Sequence, residues 1–200
     1  MAEAFLSLAT PDRKAILETA ASQSGRPAFI LEKDVWICWI LQTLFSIPGH
    51  HPMAFKGGTS LSKVYGVIDR FSEDVDITLD YRAFNEHFDP FMPGLSGQKI
   101  RKFSQHLTSL VEDYLRDVVV PALEAEATRL PTAGFHEVRA EGECVWFAYP
   151  SAVETSAGYL ASEVLLEFGG RNTVEPNERH RIVPDLAEQF DSPDTTLPRK

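Results

Sequence analysis

The run Lys56-Gly-Gly-Thr-Ser-Leu-Ser-Lys63 packs two glycines and three hydroxyl side chains into eight residues. Gly57 and Gly58 let the backbone approach an anion closely, and Thr59, Ser60 and Ser62 add O–H donors, a combination suited to a triphosphate. The spacing is neither that of a P-loop, G-x-x-x-x-G-K-[ST], nor that of a dinucleotide fingerprint. Fourteen residues beyond Ser60 stands Asp74, followed by Asp76, in the stretch DVDITLD. Side chains two apart on a strand point the same way, about 6.5–7 Å apart along the chain, so both carboxylates can reach one or two hard cations. Mg²⁺, or Mn²⁺ in its place, keeps several waters and commonly takes one or two protein carboxylates plus the substrate's phosphate oxygens. A phosphate-binding turn before a D-x-D strand therefore predicts metal-assisted phosphoryl or nucleotidyl transfer. A two-metal clamp needs a third acid, and Glu167 in Val164-Leu-Leu-Glu-Phe168 is the candidate, with Glu163 on the same strand face as its competitor. Each signal also has a plain reading: a tight strand-to-helix turn, a solvated acidic edge strand, and a structural acid at a strand end. Their order along the chain is what favours the chemical one.

The elements that must position these groups follow from periodicity and punctuation. Thr10-Pro11-Asp12 reads as a helix start with Thr10 as cap, and Gly25 as its left-handed stop. Leu31, Val35, Trp36, Trp39, Ile40, Leu44 and Phe45 form an apolar stripe on a second helix over 31–45, so both tryptophans are expected in the core. A short strand over 51–55 leads into the glycine turn, and a helix over 59–67 leaves it. DVDITLD alternates strictly, with Val75, Ile77 and Leu79 on one face. Residues 85–97 read as a loop and 98–129 as a long helix that Pro121 kinks or divides near Asp117. Strands over 135–140 and 144–149 form a hairpin with Gly142 at a positive-φ position. A last strand is expected over 160–168. This order predicts an α+β fold, a mixed β-sheet flanked by helices. Residues 1–170 make the core with its N-terminal helices, and 171–200, with four prolines and no periodicity, a loosely structured tail.

The chain has 200 residues, 44% of them hydrophobic and 24% charged, which is ordinary globular composition. Its longest apolar stretch, 35–45, is interrupted by Gln42 and Thr43 and falls short of the ~20 residues that span a bilayer. Two cysteines, Cys38 and Cys144, cannot form a disulfide framework, and the first residues carry no secretion signal, so a cytoplasmic location is expected. A formal charge of −10 argues against coating nucleic acid by bulk electrostatics, while leaving local contact open. The basic stretch Gln98-Lys-Ile-Arg-Lys102 is either a solvated helix face or a contact for an RNA backbone.

Four ordered motifs, EKDVWICWIL (32–41), KGGTSLSK (56–63), RFSEDVD (70–76) and VLLEFGGR (164–171), resemble the AbiEii/AbiGii-type nucleotidyltransferase toxins of the polymerase-beta-like superfamily. The resemblance spans about residues 30–171. It implies a nucleotidyltransferase-like fold and a metal-dependent transfer of NMP from NTP to an RNA acceptor, such as tRNA, or to a protein, by the toxin half of an abortive-infection toxin–antitoxin pair. Carried over by position, Gly57, Gly58, Thr59 and Ser60 would hold the NTP phosphates, with Lys56, Lys63 and Arg70 as positive groups nearby. Asp74 and Asp76 would ligate Mg²⁺, and Glu167 would orient or deprotonate the acceptor hydroxyl. Lys33 and Asp34 belong to the same pattern without an assignable role. A cognate antitoxin is an implied partner. The family's helical C-terminal half, with its own lysine, is expected to be absent from these 200 residues. The competing expectation is therefore a catalytically incomplete nucleotide- or antitoxin-binding module, and a phosphohydrolase or kinase using the same carboxylates is a third.

Overall fold

The computed structural model describes residues 2–65, 74–84, 89–131, 136–153 and 162–188. Three helices open the chain, α1 (Ala2–Leu6), α2 (Thr10–Ser24) and α3 (Ala28–Ser46). Gly25 ends α2 at φ 72°, and its N–H closes on the Ala21 carbonyl, the left-handed stop that glycine adopts without a Cβ penalty. Thr10 is not the cap of α2: Ala9 takes that position and Thr10 is the first helical residue. The apolar stripe of α3 is so broad that every residue from Leu31 to Leu41 is buried, including Glu32, Lys33 and Asp34. Trp36 stacks on Tyr149 and meets Trp39 edge to face, so both tryptophans are core residues.

Strand β1 (Met53–Lys56) runs into α4 (Gly57–Lys63), and β2 (Asp74–Asp80) follows. A 3₁₀ turn, Tyr81–Ala83, closes on the buried Asp80, whose carboxylate accepts from the backbone N–H and the guanidinium of Arg82. The long helix is α5 (Gly97–Tyr114) and α6 (Val120–Arg129), joined without a break by a π-helical segment, Leu115–Val119. Pro121 lacks the N–H that would bond four residues back, to Asp117, and the chain absorbs this by widening there rather than by dividing. A hairpin of β3 (Glu137–Glu141) and β4 (Cys144–Ala148) turns at Gly142, φ 58°. Strand β5 (Glu163–Asn172) then enters the centre of the sheet, and α7 (Asp185–Glu188) follows.

The sheet is mixed, in the order β1-β2-β5-β4-β3, with only β2 and β5 parallel. Val75, Ile77 and Leu79 of β2 and Val164, Leu166 and Phe168 of β5 are buried on one face, against a layer that includes α3, α5 and α6. Gly170 shows how closely α5 lies on it, since a Cβ there would be 2.7 Å from a methyl of Val111. The alternate positions of β2 and β5 occupy the opposite face. The fold is thus α+β, as expected. The stretch expected to be a loose tail differs from expectation where it is described: β5 continues to Asn172, and Leu186 and Ala187 of α7 are buried. Among the described residues no helix is long and apolar enough to cross a membrane.

Candidate active site

The site grows out of the β1–α4 junction. Lys56, the last residue of β1, pairs in register with Asp76. Gly57 then turns the chain at φ 76°, and a Cβ on it would lie 1.9 Å from Oδ2 of Asp76. Only glycine satisfies both the dihedral and the contact. The turn is therefore pressed against the carboxylate, and Gly57 is exposed and Gly58 half-buried on its outer side. Thr59 fixes the start of α4 to β2 by donating its hydroxyl to the Asp74 carbonyl at 2.6 Å. Thr59 and Ser60, expected to face phosphate, are both buried, and the Thr59 hydroxyl proton is committed to that backbone bond.

Strand pairing sets the carboxylates side by side. Asp76 pairs with Glu167, Glu167 with Cys144, and Cys144 with Glu141, so Lys56, Asp76, Glu167, Cys144 and Glu141 form one row across all five strands. Asp74 stands two residues further along, on the same face, paired with Leu165. Asp74 and Glu167 are exposed and Asp76 half-buried. Glu167 is thus tolerated because it faces water, not because a partner rescues it from an apolar run. Its register separates it from the half-buried Glu163, which lies opposite Ala148 and pairs with Arg139 at 3.6 Å. The Lys56 ammonium reaches across β2 to within 3.8 Å of the position a Cβ on Gly169 would take. Burial, then Glu167, pushes the Cys144 thiol up, which makes it a poor nucleophile.

The oxygen-only donor set of Asp74, Asp76 and Glu167 has the chemistry Mg²⁺ or Mn²⁺ requires, and neighbouring strands put Asp76 and Glu167 about 4.8 Å apart at the backbone. Gly57, by lacking a side chain, leaves room for the Asp76 carboxylate against the turn. In their present rotamers the carboxylates do not converge: among the described residues no three His, Cys, Asp or Glu side chains are grouped to hold a metal ion.

Lys63, expected beside the phosphates, points the other way. Its ammonium is nearly enclosed, 2.5 Å from Asp34 and 2.6 Å from Asp185, and it donates to the Val183 carbonyl at 3.0 Å. Asp34 also accepts from the backbone N–H of Asp185 at 2.7 Å, and Arg26 pairs with Asp185 from outside. Burial pulls the Lys63 ammonium down, but Asp34, the Cys38 thiol and Asp185 outweigh it and hold the pKa above the ordinary lysine value. Burial, and secondarily Asp185, push the Asp34 carboxyl up to about 6 against the opposing field of Lys63. Sequence reasoning missed this cluster. The pairing of the acid in EKD with the lysine in KGGTSLSK was its only signal, and Asp185 had none. Arg70 lies outside the described residues.

A model of a nucleotidyl transferase toxin family, AbiEii, of type IV toxin–antitoxin systems, matches residues 39–198, four-fifths of the chain. No curated protein and no solved structure matches it. The matched span contains the glycine turn, the D-x-D strand and the Glu167 strand, and the chain belongs to the AbiEii nucleotidyl transferase toxin family.

Proposed function

We propose that the protein transfers a nucleoside monophosphate from NTP to a hydroxyl of an RNA acceptor, tRNA being the first to test, and that this is its action as a toxin held in check by a cognate antitoxin. The observation that carries the reading is the contact of Gly57 with Asp76, with Glu167 in register on the next strand. Backbone N–H groups at Gly57-Gly58 bind and orient the β- and γ-phosphates at the β1 side of the row, and the Lys56 ammonium, which reaches across β2 toward Gly169, meets the triphosphate from over the row. The leaving pyrophosphate therefore departs toward β1, and in-line displacement brings the acceptor from the β5 side, over Glu167. Glu167 takes the acceptor proton as the new O–P bond forms at the α-phosphorus and the α–β bond breaks. Mg²⁺ or Mn²⁺ held by Asp74, Asp76 and Glu167 would supply neutralisation of the charge on the triphosphate and on the departing pyrophosphate.

The test is incubation with a divalent cation, each labelled NTP and total tRNA. Labelled RNA with pyrophosphate release supports the reading, and an Asp76→Ala variant with undiminished transfer or growth inhibition overturns it. The unconverged carboxylates favour one second reading, a nucleotide-binding module that performs no transfer. It predicts NTP binding without labelled product. Release of the γ-phosphate would instead indicate a phosphohydrolase.

A further inference from the structure

The EKD segment of α3 acquires a role from the contacts of its acids. We infer that Asp34, Lys63 and Asp185 are positioning residues for the nucleotide: they fix α4 from behind and thereby hold the Gly57-Gly58 turn against Asp76. The inference rests on the nucleotide-binding part of the proposed function.

Helix α4 has seven residues, too few to persist without tertiary support. It is held at two points. Near its start the Thr59 hydroxyl binds the Asp74 carbonyl, on the strand that carries the carboxylates. At its end Lys63 enters the buried cluster formed by Asp34 of α3 with Val183 and Asp185 of the C-terminal segment. The Gly57-Gly58 turn, immediately before the Thr59 anchor, has no slack, because the space a Gly57 side chain would occupy is already filled by the Asp76 carboxylate. A shift of α4 at its Lys63 end is therefore transmitted to the phosphate-binding turn. Displacement of about 1 Å at a reacting group can cost a hundredfold.

Glu32 supplies the control within the same helix. Two residues from Asp34, it lies about 200° around the helix and serves a different region. It accepts from the Ser151 hydroxyl at 2.5 Å and from the Ala152 N–H at 2.7 Å, in the connection from β4 to β5. Both acids are buried, so both variants should lower the melting midpoint, but only Asp34 is linked to α4.

The experiment compares Asp34→Asn, Asp185→Asn and Glu32→Gln in the full chain. Equilibrium binding of each of the four NTPs with Mg²⁺ is measured well below the melting midpoint, along with KM and kcat for transfer to total tRNA. We expect Asp34→Asn to weaken NTP binding and raise its KM on the order of tenfold, with a smaller change in kcat. Asp185→Asn, at the more exposed end of the cluster, should follow in the same direction and supplies the answer if Asp34→Asn does not fold. Glu32→Gln should keep wild-type nucleotide affinity. Equal NTP affinities in all the variants, whatever their melting points, overturn the inference. A transfer activity that survives Asp76→Ala overturns the transferase reading instead, and leaves the comparison of binding intact. A wild-type chain that binds none of the four nucleotides overturns both.

Discussion

Two groups of carboxylates flank α4, the acids of the sheet face and the cluster around Lys63, and they differ in what surrounds them. On the sheet face Asp74, Asp76 and Glu167 stand near water, and the Lys56 ammonium reaches across β2 toward Gly169. Behind α4 the carboxylates of Asp34 and Asp185 enclose Lys63, which retains only 8% side-chain exposure. The same residue types therefore do opposite work. Exposed acids keep their charge at little cost and remain free for a ligand, whereas buried ones must be satisfied by each other and serve to hold structure. Residue type and spacing alone do not separate the two cases.

The comparison breaks most visibly at Asp76. Asp76→Ala should reduce transfer by more than about a hundredfold, since charge neutralisation in the transition state contributes several kcal/mol, while the melting midpoint stays near that of the wild type. A variant that instead melts early with normal specific activity would place Asp76 among the structural acids. Lys63→Met should do the reverse in kind. Leaving Asp34 buried without its cation costs about 3–5 kcal/mol, read as a lower denaturant midpoint with an unchanged slope.

A pH series sharpens the same contrast. Asp34 titrates near 6 in the folded chain, above the ordinary 3.8, so folding binds a proton between these values. Its contribution to stability is greatest below about pH 4 and is lost as pH rises to 6, by up to about 3 kcal/mol. The stability of Asp34→Asn should therefore gain on the wild type across that window, and a constant gap would show that Asp34 titrates normally. The smallest effect belongs to a fully solvated network. Arg116 pairs with Asp113 and Asp117 on the open side of the long helix, and Arg116→Ala should leave the melting midpoint unchanged within error.

Much of the scaffold was legible because it is encoded locally. The alternation in DVDITLD correctly assigns Val75, Ile77 and Leu79 to the core, and Pro121 marks the place where the long helix departs from α geometry. Gly25 and Gly142 announce left-handed positions that few other residues adopt. Reading was poorer where a polar side chain had two available fates. Asp80 shares the polar face of its strand with Asp74 and Asp76, yet it is buried and caps the turn that follows. Thr59 and Lys63 belong to the most suggestive motif of the chain, yet both bond inward. Asp185 lies in a stretch without periodicity and is joined to Lys63 and Asp34 across 122 and 151 residues of sequence.

By itself, then, the sequence determined the order of elements, the class of fold and the identity of the groups available for phosphate and metal chemistry, because backbone preference and hydrophobic period act over a few residues. Tertiary structure alone decided which of those groups stand together on the open face of the sheet. Strand register put Glu167 rather than Glu163 beside Asp76, and pairing with buried Asp34 turned Lys63 away from the open face of the sheet. Both outcomes depend on which distant segments come to lie together, and on the high cost of leaving a charge in the interior without a partner.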